Sequence, residues 1–398
     1  MIECRIEFNK NIHSLNGVLK VKEHLFLHQQ SVAQEQFQYF QGVKKITNSN
    51  IKAFVNNISR NVEIANALDF KYLHIIFPAK PVVFKTTFEN IGVEINSIVT
   101  KEHLKPSVLY PKSKIDDFEF GDTHHNDKGL FDIIKQAFVA MDIETPVLSP
   151  LFQEKNFLGD LDAMYGIEPS PIKVIKGFRG YNNSLIQKFD LSKYLTGNSG
   201  HIDYHFNGTA IIKKRLVLFG DSFFRKSLGI LSYIFEEVIY FRNPYIIEDI
   251  VKVLAPDFVW SGNAERYLVN VPDSSLPKPY FLNYFGAKFR STEVPVHIVS
   301  MFELLFSGRE NRKFREWKNN NIVTISSHKQ SNPYEITSSD LKMPMDINFC
   351  YNTAIDYEKI DINCSYYLIK LALKARPDGP ILKKQYEAYK AIIETNDT

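Results

Sequence analysis

The chain has 398 residues, of which 44% are hydrophobic and 23% are charged, a composition typical of a globular protein with one or two domains. Its 48 lysine and arginine residues nearly balance its 45 aspartate and glutamate residues, which leaves a formal net charge of +3. That charge is too small for an extended phosphate-binding surface, so the composition excludes nucleic acid as the expected partner.

The three cysteines, Cys4, Cys350 and Cys364, are far apart and lack the spacing of a metal site, so we expect reduced thiols. Residues 1–10 lack the apolar core of a signal peptide, and no later stretch has the roughly 18 consecutive apolar residues of a membrane span. We therefore expect a cytoplasmic protein without a membrane span, or a periplasmic one if a leader has been removed.

The first third of the chain has the pattern of strands and a helix from an α/β sheet. Residues 18–27 contain two short strands, and residues 51–68 have the apolar spacing of a helix that packs on a sheet. Residues 72–77 have the apolar character of a buried strand, which places Lys80 near that strand's carboxyl end. A solvated lysine is the simpler interpretation of Lys80, and a substrate-binding lysine is the alternative.

Histidines and acidic residues cluster just before the next predicted helix, at residues 130–138. The members of this cluster are Asp122, His124, His125 and Asp127. In extended backbone, residues two apart project to the same side, so Asp122 could orient His124 as a general base. Two alternatives stay open here. The four residues could bind a metal ion, or Asp122 or Asn126 could cap the helix while the histidines face solvent.

Residues 141–200 are rich in proline, glycine, asparagine and serine. We expect a loop-rich insertion there, with one short strand near residues 172–175. Such insertions often shape a substrate groove, because loops tolerate variation that the sheet itself does not.

The strongest single motif follows an apolar run at residues 216–219. This run is typical of a buried strand, and it leads through Gly220, Asp221 and Ser222 into a helix predicted over residues 223–235. A serine there could act as a nucleophile, and its amide could stabilise an oxyanion from the first turn of the helix. The alternative is an ordinary turn in which Asp221 only caps the helix.

Strand-like and helical stretches alternate after this motif. Residues 238–241 and 258–260 resemble strands, and residues 245–254 resemble the helix between them. This alternation favours a parallel sheet with right-handed crossovers. Asn263 follows the last strand, where its side-chain amide could donate to an oxyanion, although Gly262-Asn263 is also an ordinary turn sequence.

Several motifs occur together in one order along residues 15–285. Gly220-Asp221-Ser222 follows its buried strand, and Asp122-Thr123-His124 lies upstream of it. Four smaller motifs accompany them: Phe77-Pro78-Ala79-Lys80, Tyr110-Pro111, Gly159-Asp160-Leu161 and Glu265-Arg266. This ordered set resembles the SGNH-hydrolase-like polysaccharide O-acetyltransferases of the alginate acetylation type, and the set is more specific than any one motif.

The resemblance implies a three-layer α/β/α domain with a parallel sheet over residues 1–285. Residues 286–398 lie beyond the resemblance, and their own sequence predicts a C-terminal extension that is mainly helical, with helices expected at residues 366–375 and 381–393. The resemblance also implies a catalytic triad and a set of oxyanion or substrate-binding residues. The triad would be Ser222 as nucleophile, His124 as general base and Asp122 as the residue that orients it, and the binding residues would be Asn263, Lys80 and Arg266, with the Ser222 amide.

The implied function is O-acetyl transfer, through an acetyl-serine, to hydroxyls of a bacterial capsular or extracellular polysaccharide or its precursor. We expect no metal and no tightly bound cofactor, and acetyl-CoA is the simplest donor for a cytosolic enzyme. Proteins of capsule synthesis are candidate partners. Two alternatives stay open: a carbohydrate acetyl esterase with the same triad, and a glycan-binding or assembly protein without catalysis.

Three features depart from the family's pattern. His125 stands where a tryptophan often follows the catalytic histidine, so we expect a different local wall of the site. Exported members use a membrane-relayed donor, which the missing signal peptide argues against. Residues 286–398 match no sugar-binding module of the family.

Overall fold

A computed structural model describes residues 12–28, 36–144, 147–181, 186–190, 201–243, 245–272, 274 and, with gaps, 350–396. The chain divides into two compact units. Residues 1–189, 203–246 and 256–276 form the first unit, and the remaining residues form the second.

Most of the described regular structure belongs to the first unit. Its strands are β1 (Ile12–Leu15), β2 (Val18–Val21), β3 (His24–Leu27), β4 (Lys71–Phe77), β5 (Val108–Leu109), β6 (Pro150–Phe157), β7 (Ser170–Phe178), β8 (Ile186–Asp190), β9 (Ile202–Asn207), β10 (Ile212–Gly220), β11 (Phe235–Phe241) and β12 (Phe258–Ala264). Its helices are α1 (Gln36–Phe40), α2 (Asn48–Leu68), α3 (Lys80–Val83), α4 (Lys85–Glu89), α5 (Asp127–Ala140), α6 (Asp160–Tyr165) and α7 (Ser222–Ile234), with 3-10 turns at Ile115–Asp117 and Glu265–Val269.

The central sheet has seven strands in the order β5-β4-β12-β10-β11-β9-β8. The strand pairs β5–β4, β4–β12, β12–β10 and β10–β11 are all parallel, which confirms the parallel core predicted from the alternating pattern. In the register of β10 and β12, Gly220 lies opposite Gly262. The carboxyl ends of β4, β10 and β12 therefore meet at one edge of the sheet, where α/β folds bind their ligands.

Side chains of the central strands alternate between two hydrophobic clusters. Leu73, Ile75 and Phe77 of β4 belong to the cluster that contains buried residues of α5 and α7. Ile76, between them, belongs to the cluster that contains Phe54 of α2. Because successive strand residues face opposite sides, helices cover both faces of the sheet. The first unit thus has an α/β/α arrangement, as predicted.

The segment at residues 141–200 holds more regular structure than the sequence predicted. β6 and β7 form a two-stranded antiparallel sheet in which Pro150 lies opposite Phe178 and Phe157 lies opposite Ser170, with α6 in the connection. Residues 152–156 of β6 are all exposed, so this strand shows neither the alternating nor the continuous apolar pattern that marks a strand. β6 is held by pairing with β7, whose Ile175 and Phe178 are buried in the same cluster as residues of α5 and α7.

The second unit contains α8 (Glu248–Leu254), α9 (Ile362–Ala375) and α10 (Pro380–Asn396). Tyr366 of α9 and Tyr386 of α10 stack with ring centroids 5.1 Å apart, and their hydroxyls are 2.9 Å apart. The predicted domain boundary at residue 285 lies outside the described residues, as does most of the predicted extension. Within the described residues, none of the helices is both long and apolar enough to cross a bilayer.

Candidate active site

Ser222 begins α7 immediately beyond the carboxyl end of β10. The Asp221 carboxylate caps the helix by accepting a hydrogen bond from the Phe223 amide at 3.0 Å, as the turn interpretation predicted. Its other oxygen accepts from the Ala264 amide of β12 at 2.8 Å. The capping residue therefore also fixes the turn against the neighbouring strand. This leaves the Ser222 amide in the first helical turn, where N–H groups have no intrahelical acceptor.

Close contact between β10 and β12 requires Gly220 at this turn. A Cβ atom on Gly220 would lie 2.2 Å from the carbonyl oxygen of Gly262, a distance that no side chain tolerates. On the other side of β10, the Tyr240 hydroxyl of β11 donates to the carbonyls of Gly220 and Asp221, at 3.2 and 2.9 Å. Both neighbouring strands thus hold the turn that presents Ser222.

The structure brings Ser222, His124 and Asp122 into one hydrogen-bonded chain. His124 Nε2 lies 2.8 Å from Ser222 Oγ, and His124 Nδ1 lies 2.6 Å from Asp122 Oδ1. The same Asp122 oxygen accepts from the His124 main-chain amide at 2.8 Å, so the predicted spacing of two residues lets one carboxylate hold both backbone and ring. With Nδ1 donating to the carboxylate, Nε2 can accept the serine proton.

Two neighbours, His124 and Lys226, hold the Asp122 carboxylate in its charged form. Lys226 Nζ lies 2.9 Å from Asp122 Oδ2. Burial raises the pKa of Asp122, but the hydrogen bond from His124 and the charge of Lys226 outweigh it and hold the pKa well below its usual range. An ionised Asp122 can stabilise the imidazolium that forms when His124 takes a proton. Sequence reasoning missed Lys226, although its spacing of four from Ser222 puts both on one helix face.

Lys80 has a different role from either one predicted for it. Its Nζ donates to the main-chain carbonyls of Glu119, Phe120 and Asp122, at 2.7, 2.8 and 3.0 Å. The residue is only 3% exposed, so both the solvated and the substrate-binding interpretations are corrected. Burial lowers the pKa of Lys80 to about 7, and the nearby Asp122 carboxylate opposes this shift. Lys80 anchors the backbone that carries Asp122.

The start of α6 anchors the same segment from another side. The amides of Leu161 and Asp162 both donate to the Gly121 carbonyl at 3.0 Å. The Asp160 carboxylate accepts from the Thr123 amide at 2.9 Å and from the Thr123 hydroxyl at 2.6 Å. The Gly159-Asp160-Leu161 motif therefore docks the segment that lies between Asp122 and His124. The sequence did not indicate this contact, because α5 and β6 separate the Gly159-Asp160-Leu161 motif from Asp122 and His124.

His125 and Asp127 point away from the triad. His125 is fully buried, with its ring centroid 4.0 Å from that of Phe118 and its Nε2 3.1 Å from Ser113 Oγ. Asp127 Oδ2 accepts from the Ile175 amide at 2.7 Å. The four residues predicted as metal ligands therefore do not converge, and the solvent-facing interpretation of His125 is wrong. Asn126 caps α5 by accepting from the Gly129 amide at 2.8 Å.

Among the residues that the structure describes, one other trio has ligand atoms close enough for a metal ion. Single atoms of Asp122, His124 and Asp160 all lie within 4.8 Å of one another. Each carboxylate already accepts hydrogen bonds, from His124 and Lys226 in the case of Asp122 and from Thr123 in the case of Asp160. The donor set therefore fits a hydrogen-bonded triad with a supporting carboxylate better than it fits a set of metal ligands.

Burial of neutral His125 predicts an acid-sensitive stability. Burial lowers its pKa to about 3 from an ordinary value of 6.5. Between those values the unfolded state binds a proton that the folded state does not, so the free energy of unfolding falls as the pH falls. Replacing His125 by phenylalanine should weaken this dependence by up to about 1.4 kcal/mol per pH unit. Urea denaturation between about pH 6 and pH 4 measures this pH dependence. If the free energy of unfolding changed equally with pH in both proteins, the prediction would be wrong.

Three of the motifs from the sequence meet at the Glu265 carboxylate. This carboxylate is fully buried, and its burial raises its pKa. It accepts from the Ala79 amide at 3.0 Å, the Tyr110 hydroxyl at 3.0 Å, the Ile98 amide at 2.9 Å and the Ser97 hydroxyl at 2.6 Å. The strand ends that bear Lys80 and Arg266 are thereby joined through one acidic side chain.

Arg266 and Asn263 lie at the same edge of the sheet as Ser222. The Arg266 guanidinium is 5.8 Å from the ring centroid of Phe223, which follows the serine, and the Phe223 ring is 4.6 Å from the His124 ring. Asn263 is the penultimate residue of β12 and follows Gly262, the partner of Gly220.

No protein-family model and no curated protein matches the chain. Among solved structures it is similar to Bacillus cereus PatB1, at 12% identity and a TM-score of 0.42, covering 66% of this chain and 99% of that one. A DHHW family protein from Eubacterium siraeum DSM 15702 has 12% identity and a TM-score of 0.37, with coverages of 65% and 94%. The O-acetyltransferase domain of Pseudomonas putida AlgJ has 13% identity and a TM-score of 0.34, with coverages of 69% and 98%. Because each of these TM-scores is below 0.5, function has to be inferred from this chain's own residues.

Proposed function

We propose that this protein is a serine O-acetyltransferase that moves an acetyl group through Ser222 to hydroxyls of a bacterial polysaccharide or its precursor. The observation that carries this proposal is the hydrogen-bonded chain from Asp122 through His124 to Ser222, with distances of 2.6 and 2.8 Å. The resemblance of the ordered motifs to polysaccharide O-acetyltransferases supports the acetyl group and the glycan acceptor. The triad geometry alone supports acyl transfer in general.

In the first step, Ser222 Oγ attacks the carbonyl carbon of the acetyl donor while its proton passes to His124 Nε2. With acetyl-CoA as the proposed donor, the carbon–sulfur bond breaks and the thiolate takes that proton, which leaves CoA and an acetyl ester on Ser222. Asp122 keeps the imidazole oriented and offsets its positive charge. No tightly bound cofactor enters this scheme.

The negative oxygen of the tetrahedral intermediate needs hydrogen-bond donors at the sheet edge. The Ser222 amide at the start of α7 is one proposed donor, because first-turn amides point out of the helix and its dipole favours negative charge. The side-chain amide of Asn263, at the end of the adjacent strand β12, is the second. These two groups would flank the reacting carbonyl from neighbouring strands.

In the second step, a sugar hydroxyl gives its proton to His124 Nε2 and attacks the acetyl ester. The bond from the acetyl carbon to Ser222 Oγ then breaks, and the serine recovers the proton from His124. Water in place of the sugar would make the protein an acetyl esterase, since the same residues would act in the same order. We propose capsule or extracellular polysaccharide synthesis as the setting, with proteins of that process as partners.

Intact-protein mass spectrometry tests the proposal after brief incubation with acetyl-CoA or, separately, with an activated acetyl ester. We expect one acetyl adduct from both donors on the wild-type protein and none on Ser222→Ala. An adduct from the ester alone would keep the serine mechanism and replace acetyl-CoA as donor. Acetate release without any sugar, at the rate seen with sugar, would favour the esterase. If neither an adduct nor turnover were observed with either donor, the proposal would be overturned.

Arg266 is the proposed contact for an anionic group of the donor or acceptor. In the described part of the chain, its guanidinium contacts the rings of Phe223 and Tyr267 rather than a carboxylate. A charge-assisted hydrogen bond contributes about 1.5–3 kcal/mol, so Arg266→Gln should raise one KM by about tenfold or more with little loss in kcat. Steady-state kinetics with each substrate varied measures this. Arg376→Gln, at an exposed arginine of the second unit, is the control, and unchanged KM values for both substrates would refute the role.

A further inference from the structure

We infer that Lys226 is a positioning residue of this site, one that holds Asp122 in the orientation which His124 requires. The inference rests on the proposed function, and it concerns a residue that no motif singled out. Lys226 Nζ lies 2.9 Å from Asp122 Oδ2, while Asp122 Oδ1 is 2.6 Å from His124 Nδ1. Each oxygen of the carboxylate therefore has its own partner.

These contacts form a closed circuit that begins and ends on α7. Ser222 contacts His124, His124 contacts Asp122, and Asp122 contacts Lys226, which lies one helical turn after Ser222. Residues four apart on a helix share a face, so the helix offers nucleophile and cation to the same segment. Two contacts therefore hold α7 at a fixed distance from the Asp122–His124 pair: Ser222 with His124, and Lys226 with Asp122 Oδ2.

The ion pair of Lys226 and Asp122 is shielded from water. The two side chains are 20% and 4% exposed, and Lys226 Nζ lies 4.9 Å from the centroid of the Phe157 ring of β6. Partial burial reduces screening, so the pair is stronger than an ion pair on the surface. Phe157 of β6 thereby covers the ammonium group of Lys226.

Without the lysine, Asp122 Oδ2 would be a buried charged oxygen with no cation. The carboxylate would then rotate or bind water to satisfy that oxygen, and either change lengthens the short bond to His124 Nδ1. A shift of this kind lowers the rate of proton removal from Ser222 without altering how substrates bind. A merely structural lysine would instead change stability and leave the chemistry intact.

The chain offers a matched pair for comparison. Lys214 Nζ lies 2.8 Å from Asp257 Oδ1, with side chains 53% and 34% exposed. Lys214 precedes the buried run of β10, whereas Ser222 follows the carboxyl end of that strand. Lys214→Met therefore removes an ion pair of the same type and length without touching the triad.

The experiment measures the second-order rate at which a fluorophosphonate probe labels Ser222 in the full chain. We expect labelling of Lys226→Met to be about 10 to 100 times slower than wild type, and Lys226→Arg to lie within a fewfold of wild type. Lys214→Met should label at the wild-type rate. If Lys226→Met does not fold, Lys226→Gln takes its place against Lys226→Arg. Equal labelling rates for the charged and uncharged variants would overturn the inference.

A second readout needs no reaction at all. The proton between His124 Nδ1 and Asp122 should give a low-field NMR resonance in the wild-type protein and in Lys226→Arg, because their short hydrogen bond is intact. In Lys226→Met this resonance should move or broaden, and an unchanged resonance would refute the positioning role. A wild-type protein that shows the resonance but never labels Ser222 would refute the proposed function, and the change of the resonance in Lys226→Met would then support or refute the role of Lys226 by itself.

Discussion

Ser222→Ala should reduce turnover by about 10⁴-fold or more while leaving the protein folded. The substitution removes the atom that would carry the acetyl group, and the remaining donors at the sheet edge cannot replace it. Stability should change little, because Ser222 Oγ contacts the half-buried His124 ring at the site rather than a core residue. Acetyl transfer to a glycan acceptor and thermal unfolding, followed on the same preparations, measure the two effects.

The matched control is Ser232→Ala, ten residues further along α7, where the hydroxyl donates to the Gly229 carbonyl at 3.1 Å. This variant should keep wild-type turnover. His124→Ala and Asp122→Ala should also lower the rate severely, and combining either with Ser222→Ala should add little further loss, because the three act as one unit. Near-normal turnover in Ser222→Ala would refute the serine mechanism outright.

The sheet and the triad were accessible from sequence because their signals are local. The apolar run before Ser222 marks a buried strand, and the turn that follows it must lie at the sheet's carboxyl edge. Asp122 and His124 are two residues apart, so their cooperation needs only extended backbone and no knowledge of the fold. The sequence pattern alone does not bring His124 to Ser222. That contact was predicted only from the resemblance of the ordered motifs to a known family.

The supports of the triad were not accessible, because each depends on contacts between distant segments. Lys80 and Asp160 lie far from Asp122 in sequence in opposite directions, yet both hold residues 119–123. A lysine after a strand is most often solvated, and here the fold buries it against carbonyls instead. Lys226 had a local signal, its spacing from Ser222, but that spacing alone does not say which face meets Asp122.

The motifs that looked like one catalytic pattern divide into two physical roles. Ser222, His124 and Asp122 form the hydrogen-bonded chain that we propose to react, whereas the motifs containing Lys80 and Glu265 satisfy buried backbone groups around it. A catalytic carboxylate and imidazole must be held to within a fraction of an ångström, and hydrogen bonds to the segment that bears them provide this. Apart from Arg266, the proposed contact for an anionic group, the supporting motifs therefore accompany the three residues for reasons of geometry rather than of chemistry.

Lys80→Met should lower the free energy of unfolding by about 3 kcal/mol or more, the largest stability effect expected from a single change at this site. The substitution keeps an aliphatic side chain of similar length and removes the ammonium group, which lies 5.4 and 5.8 Å from the ring centroids of Phe26 and Phe84. The main-chain carbonyls of Glu119, Phe120 and Asp122 would lose this donor together, and the bond to Asp122 is buried. Because the freed segment bears Asp122, turnover should fall as well, even in the fraction that remains folded.

Urea denaturation of Lys80→Met and Lys85→Met distinguishes this anchoring from a general effect of removing a lysine. Lys85 follows five residues later, and its ion pair with Glu89, 3.6 Å long, joins side chains that are 44% and 46% exposed. Such a surface pair contributes less than about 1 kcal/mol, so Lys85→Met should be close to wild type in both stability and turnover. If the two variants lost equal stability, Lys80 would not be the anchor of residues 119–123, and the hydrogen bonds from α6 and from the Leu25 amide of β3 would have to hold them.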